Sequence, residues 1–292
     1  MSLAATLVAL LTGLLAAALA LGAADPTAAD EHYARRDEGH VGGVAARAEI
    51  DLAIAGYEAA ARDPENVEAR WKLARALYFR GSYTGLSSDK AAEAFQRGRD
   101  ASEQAVAILA HRSAGRFHGR FDDLSPADAA RALAPEPEAP AVLFWAAVSW
   151  GEWALARGKI AAAKADAAAK IRDRSAAVIA LDPAFEEGGG HRILGRLHDQ
   201  APRIPLVTGW VSRDEAVRHL REAVRIAPRN LVNRHFLAEA LAKGGAAERE
   251  EARALEREVV ADAPSPDHLV EELALQEKAK KNLEGWKIAE NM

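Results

Sequence analysis

The chain contains no cysteine. It therefore has no disulfide framework, and it offers no thiolate as a nucleophile or as a metal ligand. The same absence argues against a lipid anchor on this sequence, because such an anchor needs a cysteine at the cleavage point.

Strand patterns and a surplus of positive charge are also missing. No alternating run of Val, Ile and Thr lies between turn residues. Lys and Arg number 38 against 43 Asp and Glu, whereas a nucleic-acid-binding surface needs a basic stripe. No nucleic-acid partner is therefore expected. The 292 residues are 49% hydrophobic, and much of this fraction is alanine, which favours closely packed helices around a sizeable core.

The N-terminus predicts export. Leu3 to Leu21 is an uncharged apolar run, and small residues follow it before Asp25. Residues 1–24 are therefore predicted to be a signal peptide, or else an N-terminal anchor, because no Lys or Arg precedes the run and its length suits a membrane span. We expect the rest of the chain in a bacterial periplasm, with membrane contact only through an uncleaved N-terminus. It divides into a polar segment, 25–43, and a helical domain, 44–292.

Small and apolar residues recur at fixed spacing in the helical domain. One unit contains Ala216, Leu220, Ala223, Pro228, Leu237 and Ala238, and another contains Ala53, Tyr57, Ala60, Leu73, Ala74 and Leu77. A third runs from Val178 to Pro183 and continues, after an expanded turn, at Leu194-Gly195. This pattern matches the tetratricopeptide (TPR) repeat, a two-helix unit of about 34 residues in which small residues allow close helix approach.

Two long segments interrupt the repeat pattern. Residues His111–Pro140 contain one short helix, which Ser125 is predicted to cap. Residues Asp199–Ser212 contain two prolines and several bulky apolar side chains. The sequence therefore predicts an all-α fold, an irregular tetratricopeptide-like helical repeat array with two long insertions. Long loops in compact domains are more often functional than accidental.

Two segments carry a more specific resemblance. They are AIAGYEAAARDPENVEARWKLARALYFRG and GGGHRILGRLHDQAPRIPLVTGWVSRDEAVRHLREAVRIAP. With the export signal, they resemble the T component of TPR-associated TRAP transporters. The resemblance implies a periplasmic helical protein that partners the transporter's solute-binding subunit and passes a hydrophobic or acidic ligand through a cavity. The chain lacks the lipobox cysteine, so the resemblance does not extend to envelope anchoring.

Tryptophans are the first candidate ligand-binding residues. Trp145, Trp150 and Trp153 lie on a helix predicted over Ala141–Gly158. Their spacing predicts that Trp145 and Trp153 share a face and that Trp150 points away. The three indoles either line a pocket or fill the core beside small alanines. The additional wall residues would be Trp71, Tyr78 and Trp210.

A glycine run precedes two further candidates, His191 and Arg192. Gly188–Gly190 could present helix amides to an anion with Arg192 as counter-charge, or form a flexible turn into a closely packed helix. His191 and His198 are seven residues apart, without the spacing or third ligand of a metal site. We expect solvent-facing or groove-lining histidines, no metal and no cofactor.

No combination of nucleophile, base and orienting group is present in the sequence. We therefore expect a binding protein rather than an enzyme: an exported accessory component of solute uptake that binds a solute-binding protein and a small apolar, acidic ligand. The alternative is a periplasmic scaffold that assembles envelope complexes without a ligand. A third hypothesis is an enzyme that uses His191, His198 or His219. These hypotheses differ in whether the indoles line a pocket and whether histidines and a carboxylate converge.

Overall fold

The computed structural model describes residues 26–205 and 207–290, and the predicted all-α class is confirmed for them. Thirteen α-helices and three short 3₁₀ helices occur in these ranges, without a β-strand. An isolated bridge joins Val41 and Val44. The predicted signal segment, residues 1–24, lies outside the described residues.

The helices follow one another along the chain with mostly short connections. They are α1 (Pro26–Ala34), α2 (Ala48–Ala60), α3 (Val67–Tyr83), α4 (Ser88–Arg112), α5 (Pro126–Leu133), α6 (Ala139–Arg157), α7 (Lys159–Lys164), α8 (Ala167–Leu181), α9 (Phe185–Gln200), α10 (Arg213–Ile226), α11 (Leu231–Leu241), α12 (Ala246–Ala261) and α13 (Leu269–Glu290). Among the described residues, no helix is long and apolar enough to cross a membrane.

Side-chain caps start several of these helices. The carboxamide oxygen of Asn66 accepts a hydrogen bond from the Ala69 amide at the start of α3. The Ser125 hydroxyl accepts one from the Asp128 amide at the start of α5, so the capped helix predicted in the first insertion is confirmed. Such caps satisfy amides that have no partner within the helix.

Helices that are neighbours in sequence pack against one another, and the last one returns to the first. Helix α13 contacts α11, α12 and α3. Val270 of α13 is buried in the same apolar cluster as Ile50 and Tyr57 of α2. The Arg36 guanidinium donates two hydrogen bonds to Glu271 Oε1, at 3.1 and 2.9 Å. The array of helices therefore closes on itself through its C-terminal helix.

Glycines allow close packing at two places. Gly81 lies inside α3 and makes room there for the Phe95 ring. The glycine run Gly188–Gly190 lies within α9. Backbone φ is positive from Glu186 to Gly188, which kinks the start of α9, and Gly189 and Gly190 are buried against neighbouring helices.

Candidate functional site

Between Ala69 and Phe79, helix α3 has one partly exposed stripe, and its other residues there are buried. Trp71, Arg75 and Tyr78 are spaced by four and three residues, so they lie on one side of the helix. Leu73 and Leu77 between them are buried in the core. A buried helix that keeps an aromatic–arginine–aromatic stripe accessible has a surface suited to binding.

Helix α6 adds Trp145 to this stripe. The Trp145 ring centroid lies 5.8 Å from that of Tyr78, and Phe144 packs edge-on against Trp145 at 5.1 Å. Trp145 is only 8% exposed, yet its indole Nε1 has no hydrogen-bond acceptor among the described residues. A buried indole N–H usually finds a partner, so this donor is unusual.

Arg192 lies on α9, a helix that packs against α6. Its Cζ lies 5.9 Å from the Phe144 ring centroid. Its Nη1 donates to the Glu186 carbonyl at 3.1 Å and to Asn233 Oδ1 at 3.0 Å. Burial lowers the pKa of Arg192, while the Glu186 carboxylate opposes that shift. We name the surface formed by Trp71, Arg75, Tyr78, Trp145 and Arg192 the inner face.

Helices α1 and α13 also contribute to this region. The Arg75 guanidinium stacks 3.8 Å from the Tyr33 ring centroid of α1 and 5.2 Å from that of Trp71. Tyr33 interacts electrostatically with Arg75 and with Glu271 of α13, and burial raises its pKa. The closure of the helix array therefore brings α1 and α13 to the inner face.

Burial dominates the electrostatics of the inner face. It raises the pKa of Tyr78, and the nearby Tyr83 and Glu152 raise it further. Burial raises the pKa of Tyr83 to about 12. It also raises the pKa of Glu152, against the positive charges of Lys278 and Arg196. Both tyrosines are therefore neutral hydrogen-bonding groups at physiological pH.

The inner face has an excess of unused donors. Three donor atoms of the inner face are buried and have no acceptor among the described residues: Nε1 of Trp71, Nε1 of Trp145 and Nε of Arg75. Glu271 Oε2 is the one acceptor of this region left without a donor. The chemistry of the donor set matches a molecule that carries hydrogen-bond acceptors, such as a carboxylate.

Trp150 and Trp153 do not belong to the inner face. Their rings pack against each other at 5.2 Å, and their indoles donate to Glu103 and Gln96 at 2.7 and 2.6 Å. The prediction that Trp145 and Trp153 share a face is wrong. At 100° per residue, positions 145 and 153 are 80° apart, whereas 150 and 153 are only 60° apart. These two indoles fill a core between α4, α6 and α8.

His191 also points away from the inner face. It is 9% exposed, and its Nδ1 lies 2.9 Å from Nδ1 of His219 on α10, which is 7% exposed. The expectation of solvent-facing or groove-lining histidines is therefore wrong for this pair. The reason is that α9 and α10 pack closely at Gly195, where an added Cβ would lie 2.6 Å from Leu220 Cγ.

Trp210 lies in a separate pocket and belongs to the segment Asp199–Ser212. Its ring centroid is 5.2 Å from that of His198, and its Nε1 donates to the Val207 carbonyl at 3.1 Å. The stripe on α3 and the residues Trp145 and Arg192 thus come together, whereas His191 and Trp210 lie elsewhere. Sequence inspection missed Arg75, although its position between Trp71 and Tyr78 on one helix side could have indicated it.

No protein-family model and no curated protein matches the chain. In the part of the chain that the structure describes, no group of three or more His, Asp or Glu side chains could hold a metal ion.

Proposed function

We propose that this protein is a TPR-like binding protein whose inner face holds a small ligand with an apolar body and an acidic group. The observation that carries the proposal is the set of three buried donors without acceptors, on Trp71, Arg75 and Trp145. A buried donor left unpaired costs about 1–3 kcal/mol. A bound carboxylate would remove that cost, which explains why the chain keeps these donors.

The remaining inner-face groups fit the same ligand. Arg192 supplies a positive charge beside Phe144, and Tyr78 and Trp145 offer flat apolar walls. An acid with a short hydrocarbon chain could place its carboxylate near Arg75 and its chain against the rings. Aromatic walls with a few convergent polar groups are typical of small-molecule sites.

The repeat arrangement and the uptake setting are parts of the proposal. Contacts between helices that follow one another in sequence, and the close contact at Gly195, support a TPR-like array with two insertions. The resemblance to TRAP-transporter T components supports an exported accessory component, periplasmic in location, that binds a solute-binding subunit. We propose no catalytic role.

The two alternative hypotheses, a scaffold without a ligand and an enzyme, fit the observed side-chain contacts less well. A scaffold without a ligand would have all its indoles packed and satisfied, which holds for Trp150 and Trp153 but not for Trp145. The enzyme hypothesis requires histidines and a carboxylate that converge at one point. His191 and His219 approach each other, but both ring nitrogens of His219 are occupied, by His191 and by Arg218. His198 has one ring nitrogen occupied, by the Ser212 amide.

Calorimetric titration with octanoate tests the ligand site, and octanol serves as the uncharged probe of the same length. We expect octanoate to bind and octanol to bind at least ten-fold more weakly. Trp145→Phe should weaken octanoate binding about ten-fold, because it removes one donor and keeps a ring. The matched control Trp153→Phe should leave binding unchanged. Equal binding of both probes, or equal effects of both variants, would contradict the proposal.

A further inference from the structure

A second pocket lies between the end of α9 and the start of α10, away from the inner face. It has a volume of about 500 Å³, the size of a small-molecule site. Its lining residues are His198, Arg203, Gly209, Trp210, Val211, Ser212, Arg213 and Asp214. Trp71, Trp145 and Arg192 of the inner face do not line it, so the two sites are independent.

The polar lining of this pocket consists mainly of donors. Arg203 Nε donates a hydrogen bond to the Gly209 carbonyl at 3.2 Å, which holds the guanidinium at the pocket. Arg203 makes no ion pair with any described residue. Arg213 pairs with Glu248 through Nη2 at 2.9 Å, while its buried Nε has no acceptor. Asp214 is the one carboxylate among the lining residues. Arg203 is therefore the arginine of the pocket wall that has no ion pair among the described residues, whereas Arg213 is paired with Glu248.

His198 adds a donor of known orientation. The Ser212 amide donates to His198 Nδ1 at 3.1 Å, so the proton of the neutral ring lies on Nε2. Burial lowers the pKa of His198, and the positive charges of Arg218 and Arg172 lower it further against the opposing Glu215. The imidazole is thus neutral near pH 7, with an N–H on Nε2 and no acceptor within the described residues.

Trp210 supplies the apolar wall. Its own N–H is already used by the Val207 carbonyl, and Arg172 stacks on the ring with its Cζ 5.0 Å from the centroid. Val211 extends the apolar surface next to it. The Trp210 ring and its positively charged neighbours suit an aromatic molecule that carries a negative charge.

We propose that this pocket is a second binding site, which takes a small aromatic carboxylate with its ring against Trp210 and its carboxylate toward Arg203 and Arg213. Arginine favours carboxylates because its planar fork matches two acceptor oxygens. Arg203 should therefore contribute more to the affinity for a carboxylate than a lysine at the same position would. The long insertion acquires a role, since it contributes Arg203, Trp210 and Ser212 to the lining.

Fluorine NMR of the full protein labelled with 5-fluorotryptophan tests this site separately from the inner face. The chain has 6 tryptophans, and a Trp→Phe variant of each assigns its resonance. Benzoate is the probe, and benzyl alcohol is its uncharged counterpart. We expect benzoate to shift the Trp210 resonance saturably, while the Trp150 and Trp153 resonances stay in place because their indoles are packed and hydrogen-bonded.

Variants make the test specific. The affinity for benzoate, measured from the shift of the Trp210 resonance, should fall about ten-fold in Arg203→Gln and by less in Arg203→Lys. Arg157→Gln, on the exposed surface of α6, should leave this affinity unchanged. Unchanged positions of the other five resonances show that each variant is folded. A Trp210 resonance that does not move, or that moves equally with benzyl alcohol or in Arg203→Gln, overturns this site. Shifts of Trp71 or Trp145 concern the inner face alone.

Discussion

The imidazoles of His191 and His219 meet at a 2.9 Å contact between their Nδ1 atoms, between α9 and α10. Arg218 Nη2, which can only donate, lies 2.8 Å from His219 Nε2. The proton of neutral His219 therefore lies on Nδ1 and is donated to His191 Nδ1. This series of hydrogen bonds exists only while both rings are neutral. A second proton on His191 would face the Nδ1–H of His219, and a second proton on His219 would face the Arg218 guanidinium.

This pair predicts that the protein loses stability in mild acid. Burial, Arg218 and His191 lower the pKa of His219 to about 4, and burial also lowers the pKa of His191. The unfolded chain takes up these protons near pH 6.5, before the folded chain does, so the free energy of unfolding falls as pH drops. We expect a loss of about 2 kcal/mol for His219 between pH 7 and pH 5.

Chemical denaturation at a series of pH values measures this loss. Carboxylates with an ordinary or lowered pKa titrate below this range. A carboxylate whose pKa is raised by burial, such as Glu152, takes up its proton first in the folded state and therefore adds stability in acid. The charged groups that face the cluster are Arg172, Glu215, Arg218, Glu222 and Arg225. His219→Gln should be less stable at pH 7 but should flatten the pH dependence. A flat profile in the unaltered protein would contradict the assigned neutral pair.

Two tryptophans provide a matched pair for stability. Trp150→Phe should cost about 1.5–3 kcal/mol more than Trp145→Phe, because Trp150 donates to the charged Glu103 and Trp145 donates to no described residue. Both substitutions remove the same atoms and keep an aromatic ring in place. Thermal or urea unfolding of the ligand-free protein measures it. Equal losses would show that the Trp145 indole has a partner in solution.

Two glycines test the packing of the helices. Gly195→Ala should destabilise by about 1–3 kcal/mol, because the new Cβ would lie 2.6 Å from Leu220 Cγ. Gly151→Ala should stabilise by up to about 1 kcal/mol, since no atom lies within 4 Å of its Cβ and alanine favours a helix. Urea unfolding compares the two. A neutral Gly195→Ala would mean that α9 and α10 are less closely packed.

A buried pair between α11 and α12 gives the largest expected stability effect. Glu256 is fully buried and lies 3.0 Å from His235 Nδ1, and Asn282 donates to its other oxygen at 2.8 Å. Glu256→Ala leaves both partners without an acceptor and should cost about 3–5 kcal/mol. The surface control Glu277→Ala removes an exposed ion pair with Lys280 and should cost less than about 1 kcal/mol. Similar losses of unfolding free energy in the two variants would show that water reaches the Glu256–His235 pair.

Helical periodicity predicted the fold class, whereas chain closure could not be predicted. The positions of Ala53, Tyr57, Ala60 and Ala74 at helical spacing are buried as the pattern indicates. The return of α13 to the first helices depends on Arg36 and Glu271, which are 235 residues apart in sequence. No local pattern reports such a contact.

Part of the inner face could be predicted from composition and spacing. Trp71, Tyr78 and Trp145 were predicted as wall residues, and the structure brings them together. Trp150 and Trp153 were also chosen, since sequence alone gives no sign that Glu103 and Gln96 on α4 satisfy their indoles. His191 has its partner, His219, 28 residues away on another helix. In each case the missing information was the neighbouring helix.

Native mass spectrometry of the protein, purified gently from cells that produce it naturally, tests the ligand site most directly. The unaltered protein and Trp153→Phe should retain a small acid of one discrete mass, and the Trp145→Phe, Arg75→Gln double variant should lose it. The double variant removes two of the three unpaired donors. A folded but empty unaltered protein, or equal retention in the double variant, would contradict ligand binding at the inner face.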